Sequence, residues 1–166
     1  MTSPIDPLDG RLLALLREEP RIGIAEAARR LAVARGTVQA RLERLRERGI
    51  LTGFGPEVDP AKLGYPILAF VFLEISQGRL TEAVDVLEHL PEVVEAHGVS
   101  GPRDLLVRIV ARDTDHLQDV INRILVTPAV RRSTSYISLS SQIAARTGPL
   151  VAAAAGLGPP GGSEDR

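Results

Sequence analysis

Residues 67–75 read Ile-Leu-Ala-Phe-Val-Phe-Leu-Glu-Ile. The run is short, apolar, β-branched and aromatic, which predicts a strand. A strand with one wet face alternates apolar and polar residues, and this one does not. The same holds downstream, where Leu105-Leu106-Val107 leads to Ile109-Val110-Ala111. Both faces of the sheet that these strands build are therefore apolar.

The elements around these strands are readable in order. Thr81–Leu90 is predicted helical, capped by Thr81, with Val84, Leu87 and Leu90 on one face. Val93–Ser100 and Asp104–Arg112 are predicted strands joined by a turn at Gly101-Pro102. Thr114–Val126 is a second helix, capped by Thr114, with Leu117, Val120, Ile121 and Ile124 inward. Val130–Leu139 is a fourth strand. The order is βαββαβ, the ferredoxin-like split pattern. A weak internal repeat supports it: Leu90-Pro91-Glu92-Val93 and Thr127-Pro128-Ala129-Val130 each join a helix to a strand. Proline stops the helix and valine starts the strand in both. Both helices of such a module cross on one side of the sheet, so the opposite apolar face is bare. A bare apolar face of that size marks an interface, and a sheet-to-sheet homodimer is expected, the alternative being a lid formed by the tail or the connector.

Upstream, Gly53, Gly55, Pro56, Pro60, Gly64 and Pro66 mark 51–66 as a connector, with a short strand near Ile50–Phe54. Before it the periodicity is helical. Asp6 can cap a helix over Pro7–Glu18 that has Leu8, Leu12, Leu15 and Leu16 on one face. Gly10 inside it costs roughly 1 kcal/mol relative to Ala. A second helix is expected over Ala25–Ala32, with Ala28 and Leu31 inward. A third is expected over Arg35–Arg48, with Val38, Leu42 and Leu45 inward, stopped by Gly49. Three short helices, the last two separated by a tight turn, make a helix-turn-helix pattern. The chain is thus expected to be α+β: a helix-turn-helix domain over 1–50, the connector, a βαββαβ domain over 67–146, and a disordered Gly/Pro/Ala-rich tail over 147–166.

Charge divides the same way. The whole chain carries a net −1, but residues 1–50 hold ten Arg against seven acids, and 51–166 hold ten basic residues against fourteen acids. A positive head on a negative body points to different partners for the two modules, with a merely solvated helical surface as the bland alternative. Cysteine is absent, which excludes disulfides and thiolate chemistry. No apolar run reaches the ~18–20 residues that span a bilayer. Met1–Pro7 is acidic and proline-bearing, unlike a secretory signal, so a cytoplasmic protein without membrane contact is expected. His89, His97 and His116 lack metal-ligand spacing. Gly156-Leu157-Gly158 runs into Pro159, which no dinucleotide loop tolerates. No metal, cofactor or catalytic arrangement is expected.

Four local patterns resemble the Lrp/AsnC (feast/famine) family of transcription regulators over about residues 6–140. They are Leu8-Asp9 with Leu12-Leu13 and Arg21; Thr37-Val38 with Arg41, Leu42, Leu45 and Gly49-Ile50; Gly101-Pro102-Arg103-Asp104; and Pro128-Ala129-Val130 with Ser133, Ser135 and Tyr136. The chain departs from the family at Ala34, where Ser or Thr usually caps the recognition helix, at Gly36, and at Ser133 and Ser135, where Thr is common. The resemblance implies a winged helix-turn-helix domain followed by a ligand-binding (RAM-type) βαββαβ domain. It implies a sequence-specific regulator of double-stranded DNA, homodimeric and assembling into tetramers or octamers, that responds to an amino acid. The alternative is an enzyme on the same scaffold, similar to sirohaem decarboxylases, against which the Arg-rich third helix argues.

Residues near the amino end of a recognition helix reach base edges, and Arg and hydroxyl groups hold phosphates. The expected DNA-binding set is Arg35, Gly36, Thr37, Gln39, Arg41 and Arg44, with Arg41 and Arg44 on phosphate and Arg29 and Arg30 as further backbone contacts. The expected effector-binding set is Ser100, Gly101, Asp104, Ser133, Ser135 and Tyr136. Asp104 would accept from an ammonium group, and amides around Gly101 would hold a carboxylate. The alternative for Asp104 is a structural turn in which its side chain caps backbone.

Overall fold

A computed structural model describes residues 5–158. The elements run α1 (Pro7–Glu18), α2 (Ile24–Leu31), α3 (Arg35–Glu47), a 3-10 turn (Pro60–Leu63), β1 (Ile67–Ile75), α4 (Leu80–Glu88), β2 (Val93–Gly98), β3 (Leu105–Ala111), α5 (Thr114–Leu125), β4 (Val130–Ile137) and α6 (Gly148–Ala154). The chain forms two compact units. One takes the residues up to Pro56 and resumes at Ile143; the other is Glu57–Gln142.

In the first unit, Leu12, Leu15, Ala27, Ala28, Val38 and Leu45 make the core, and each helix is too short to hold without it. Asp6 and Asp9 form a reciprocal cap at the start of α1. The Asp9 N–H donates to Asp6 Oδ1 at 2.8 Å and the Asp6 N–H donates to Asp9 Oδ2 at 3.2 Å. The turn between α2 and α3 places Ala32 at φ 54, a left-handed conformation that glycine tolerates best. Gly49 at φ 66 ends the third helix as expected.

Two expectations fail in this unit. The strand near 50–54 does not form. No strand lies among the described residues of this unit for it to pair with, and Phe54 instead sits under the Arg46 guanidinium, 4.9 Å from the ring centre. The tail expected to be disordered from 147 forms α6 over Gly148–Ala154; residues 159–166 lie outside the described residues. Pro149 starts α6 where its missing N–H costs nothing, and the alanines that follow are strong helix formers. Ala155 is buried against α1. A methyl group added at Gly10 would lie 2.3 Å from the Ala155 Cβ, so the glycine that weakens α1 locally is what lets α6 approach.

The second unit is a four-stranded antiparallel sheet in the order β2-β3-β1-β4. Ala69, Val71, Leu73, Val107 and Ile109 on one face pack with Leu87, Val120 and Ile124 of α4 and α5. Neither predicted threonine cap forms. Asp113 caps α5, accepting from the His116 N–H at 2.7 Å, and α4 starts after Arg79 with no side-chain cap. The two proline turns of the repeat are closed alike: Val93 N–H donates to Leu90 O at 2.9 Å, and Val130 N–H donates to Thr127 O at 3.2 Å.

The opposite sheet face carries Leu68, Phe70 and Phe72 of β1, Leu106 and Val110 of β3, and Tyr136 of β4, by the strand register. Phe70 and Tyr136 are exposed, and Tyr136 meets Phe72 edge-to-face at 5.9 Å. Arg108, paired with Glu95 at 3.4 Å, is the charged residue among them on β3.

Candidate nucleic-acid interface and ligand sites

The third helix presents two different sets of polar residues. At its amino end, Arg35 and Gly36 are exposed and Thr37 is half-buried; Gln39, one turn on, is exposed and donates to Glu43 at 3.1 Å. Arg35 has no ion pair among the described residues. Ala34 gives no side-chain cap, so the first amides of α3 are left without one. An uncapped helix amino terminus beside a free guanidinium is suited to phosphate.

Arg41 and Arg44, expected on phosphate, are instead engaged inside the unit. The Arg41 Nη1 donates to Asp6 Oδ2 at 2.6 Å and to Asp9 Oδ1 at 2.7 Å, and the Arg44 Nη2 donates to both Asp9 oxygens at 3.1 Å. Asp9 is 1% exposed, so its carboxylate needs these partners. The pairs tie the start of α1 to α3. Arg41 also holds the Asp6 carboxyl below its ordinary range, chiefly through that hydrogen bond. Arg29 and Arg30 are likewise paired, both with Glu26 and Arg30 also with Glu19. They hold the exposed Glu26 carboxyl down to about 2.

The expected effector residues are not gathered in one place. Asp104 Oδ2 accepts from the Ile75 N–H at 2.7 Å, and its own N–H donates to Leu73 O at 2.9 Å. Asp104 therefore caps backbone, although of the neighbouring strand and not of its own turn. Ser100 and Gly101 are exposed beside it, and Gly101 has φ 126, which a side chain would strain. Ser133 and Ser135 lie on the helix-covered side of β4, lining a cavity with Thr114, Gln118 and Ile121 of α5. Tyr136 points to the other face, because successive strand residues alternate. Among the described residues no group of three His, Asp or Glu side chains could hold a metal ion, and no helix is long and apolar enough to cross a membrane.

Residues 68–147 match the family model described as the Lrp/AsnC ligand binding domain, and residues 5–52 match one described as winged helix-turn-helix DNA-binding. The regulatory protein AsnC of Escherichia coli K12 is 32% identical over 141 residues, spanning 84% of this chain and 93% of that protein. The chain belongs to the Lrp/AsnC family.

Membership makes it a transcriptional regulator with a DNA-binding and a ligand-binding domain. The HTH-type transcriptional regulator FL11 of Pyrococcus horikoshii is 28% identical over 141 residues, covering 85% of this chain and 93% of that one. The solved structure of E. coli AsnC superposes with a TM-score of 0.80 at 31% identity, covering 87% of this chain and 99% of the other. The B. subtilis LrpC structure, 20% identical, shares the fold with a TM-score of 0.77, over 85% of this chain and 99% of that one.

Sequence reasoning missed two clusters in this Lrp/AsnC chain. The first is the Asp6–Asp9–Arg41–Arg44 lock, of which the cap at Asp6 was the visible half. The second joins Glu92 to His116 and Arg123, seven residues apart on α5 and thus near one another on its surface. The signal was that spacing, with an acid placed in a proline turn whose counterpart is Ala129.

Proposed function

We propose that this regulator binds double-stranded DNA sequence-specifically through the amino end of α3, as a homodimer formed by the open sheet face, in the cytoplasm. The observation that carries the reading is the separation on α3: Arg41 and Arg44 hold the helix in place, while Arg35, Gly36, Thr37 and Gln39 are left at its end. Two heads on one two-fold dimer suit half-sites about one helical turn apart, ~34 Å or a multiple. The apolar strip from Leu68 to Tyr136, bordered by Arg108 and Glu95, supports pairing with a second copy of itself. Dimers assemble further into tetramers or octamers, and a free amino acid at the β2–β3 turn, against Ser100, Gly101 and Asp104, shifts that assembly. Ser133, Ser135 and Tyr136 would join this site only through contacts between copies.

Fluorescence anisotropy with duplexes from the protein's own promoter region tests the DNA reading across a salt series. Arg35→Ala should weaken binding and reduce the salt slope by about 1, as loss of one phosphate contact does. A chain that ignores these duplexes, or an Arg35→Ala protein with an unaltered slope, defeats the assignment of α3. Sedimentation of a Phe72→Glu variant tests the dimer: the wild type should sediment as a dimer or larger, the variant as a monomer.

A further inference from the structure

One helix of the first unit comes from the other end of the chain. α6 follows the second unit in sequence and yet belongs with α1, α2 and α3. It has seven residues and no side-chain cap, too little to stay helical alone. The head holds it: Val151, Ala154, Ala155 and Leu157 pack into the same core as Leu12, Leu15 and Val38.

The two partners α1 and α6 run antiparallel. The start of α6 lies at the end of α1, where a methyl group on Gly148 would run into the Arg17 guanidinium. The far end of α6 lies at the start of α1, where a methyl group on Gly10 would run into the Ala155 Cβ and stand 3.0 Å from Leu157 Cδ1. The side chains at a crossing set how near two helices come, and Gly10 against Ala155 permits a close approach. Alanine is the better helix former, so the glycine at position 10 serves this contact and not α1 itself.

Gly10 directly follows Asp9, and both are buried. They face different neighbours. Asp9 Oδ1 accepts from Arg41 Nη1 at 2.7 Å and from Arg44 Nη2 at 3.1 Å, both on α3. Gly10 receives α6, and its N–H donates to Asp6 O at 3.0 Å. Asp6 in turn bonds Arg41. The first turn of α1 is thus held between two helices, by α3 through its carboxylates and by α6 through its glycine. The lock positions α3 only as firmly as that turn is itself held.

We infer that α6 is a positioning brace for the DNA-reading helix. Seated on Gly10, it fixes the α1 turn whose carboxylates hold Arg41 and Arg44, and through them it sets the pose of α3. Gly10 and Ala155 are its positioning residues; neither contacts the duplex. The inference rests on the proposal that α3 reads DNA.

The experiment compares full-length wild type with Gly10→Ala, Ala155→Gly and the double variant. Binding to duplexes from the protein's own promoter region is read by fluorescence anisotropy over a salt series. Deuterium uptake, read by mass spectrometry with and without duplex, follows α1, α3 and α6. Gly10→Ala should weaken binding about fivefold or more, the lower end of usual coupling between sites. Its salt slope should stay that of the wild type, because no phosphate contact is lost. Ala155→Gly removes the clashing methyl, so the double variant should return to within about twofold of the wild type. Coupling is reciprocal, so duplex should slow exchange in α6 of the wild type. Wild-type affinity in Gly10→Ala, a loss that Ala155→Gly does not repair, a lowered salt slope, or α6 exchange indifferent to duplex would each overturn the brace. A wild type that ignores the duplexes defeats the DNA reading instead. The brace is then decided by exchange alone: Gly10→Ala should speed it in the first turn of α1 and in α3, and the double variant should restore it. Unchanged exchange there overturns the inference.

Discussion

Asp9 and Glu92 are both carboxylates closed off from water, one in each unit, and they are treated in opposite ways. Asp9 has every lone pair engaged, by Arg41, Arg44 and the Asp6 N–H. Glu92 has one oxygen bonded twice and the other not at all. A fully satisfied buried charge acts as a fixed joint, whereas a half-satisfied one is held in a state that a partner can improve. The joint ties α1 to α3, the helix proposed to read DNA. The open one lines a cavity.

Removing the fixed joint should have the largest effect. Asp9→Ala leaves Arg44 without its acceptor and Arg41 with Asp6 alone, and should cost about 3 kcal/mol of stability. Urea denaturation followed by far-UV circular dichroism reads this. The chain has no Trp, and its two tyrosines, Tyr65 and Tyr136, both lie in the second unit, so tyrosine fluorescence follows that unit separately. The fluorescence midpoint should move less than the dichroism midpoint. Equal shifts would show that the joint is not confined to the head.

Next in size is Gly10→Ala. Helix propensity alone would make it stabilising by about 1 kcal/mol. The close approach of Ala155 should reverse the sign and give a net loss of about 1–2 kcal/mol. A stabilised protein would mean that α6 does not pack there in solution. Glu92→Ala, which copies the residue at the matching turn, should cost about 1 kcal/mol or less. A loss as large as that of Asp9→Ala would make Glu92 a second joint and erase the contrast.

The smallest effect concerns pH. Asp6 has a folded pKa below its ordinary value of 3.8, chiefly because Arg41 bonds it. Between the two values the unfolded chain binds more protons, so stability falls as pH falls. The contribution is complete above the ordinary carboxylate range and is lost as pH falls through the lowered folded value. The Asp6 side chain is nearly half exposed, so the amount is modest. An Asp6→Asn protein should lose less stability over this window than the wild type, as read by denaturation midpoints at both ends. An identical loss in both would remove Asp6 from the acid response.

Much of this molecule was legible beforehand because its signals are local. Pro7–Glu18 and Ile67–Ile75 were expected with the bounds they have, since a capping Asp followed by Pro, and an unbroken β-branched and aromatic run, each depend on neighbours in sequence. Gly49 stops α3 for the same kind of reason. Where competing caps stood side by side, as Asp113 and Thr114 do, local reading chose the wrong one, because the winner is the side chain that reaches the third amide.

Composition, periodicity and the family motifs thus determined the helix-turn-helix pattern, the βαββαβ order and the basic character of the head, but not that the chain from Ile143 returns to the first unit. What they could not determine is what each charge and each glycine meets across space. That Arg41 pairs with Asp6 and Asp9, some thirty residues earlier, is visible only once the chain is folded. Gly10 looks like a defect until α6 returns from the far end of the chain to lie against it. Hydrophobic period is a property of a segment, whereas satisfaction of a buried charge and the closeness of two helices are properties of pairs, and only the folded chain brings those pairs together.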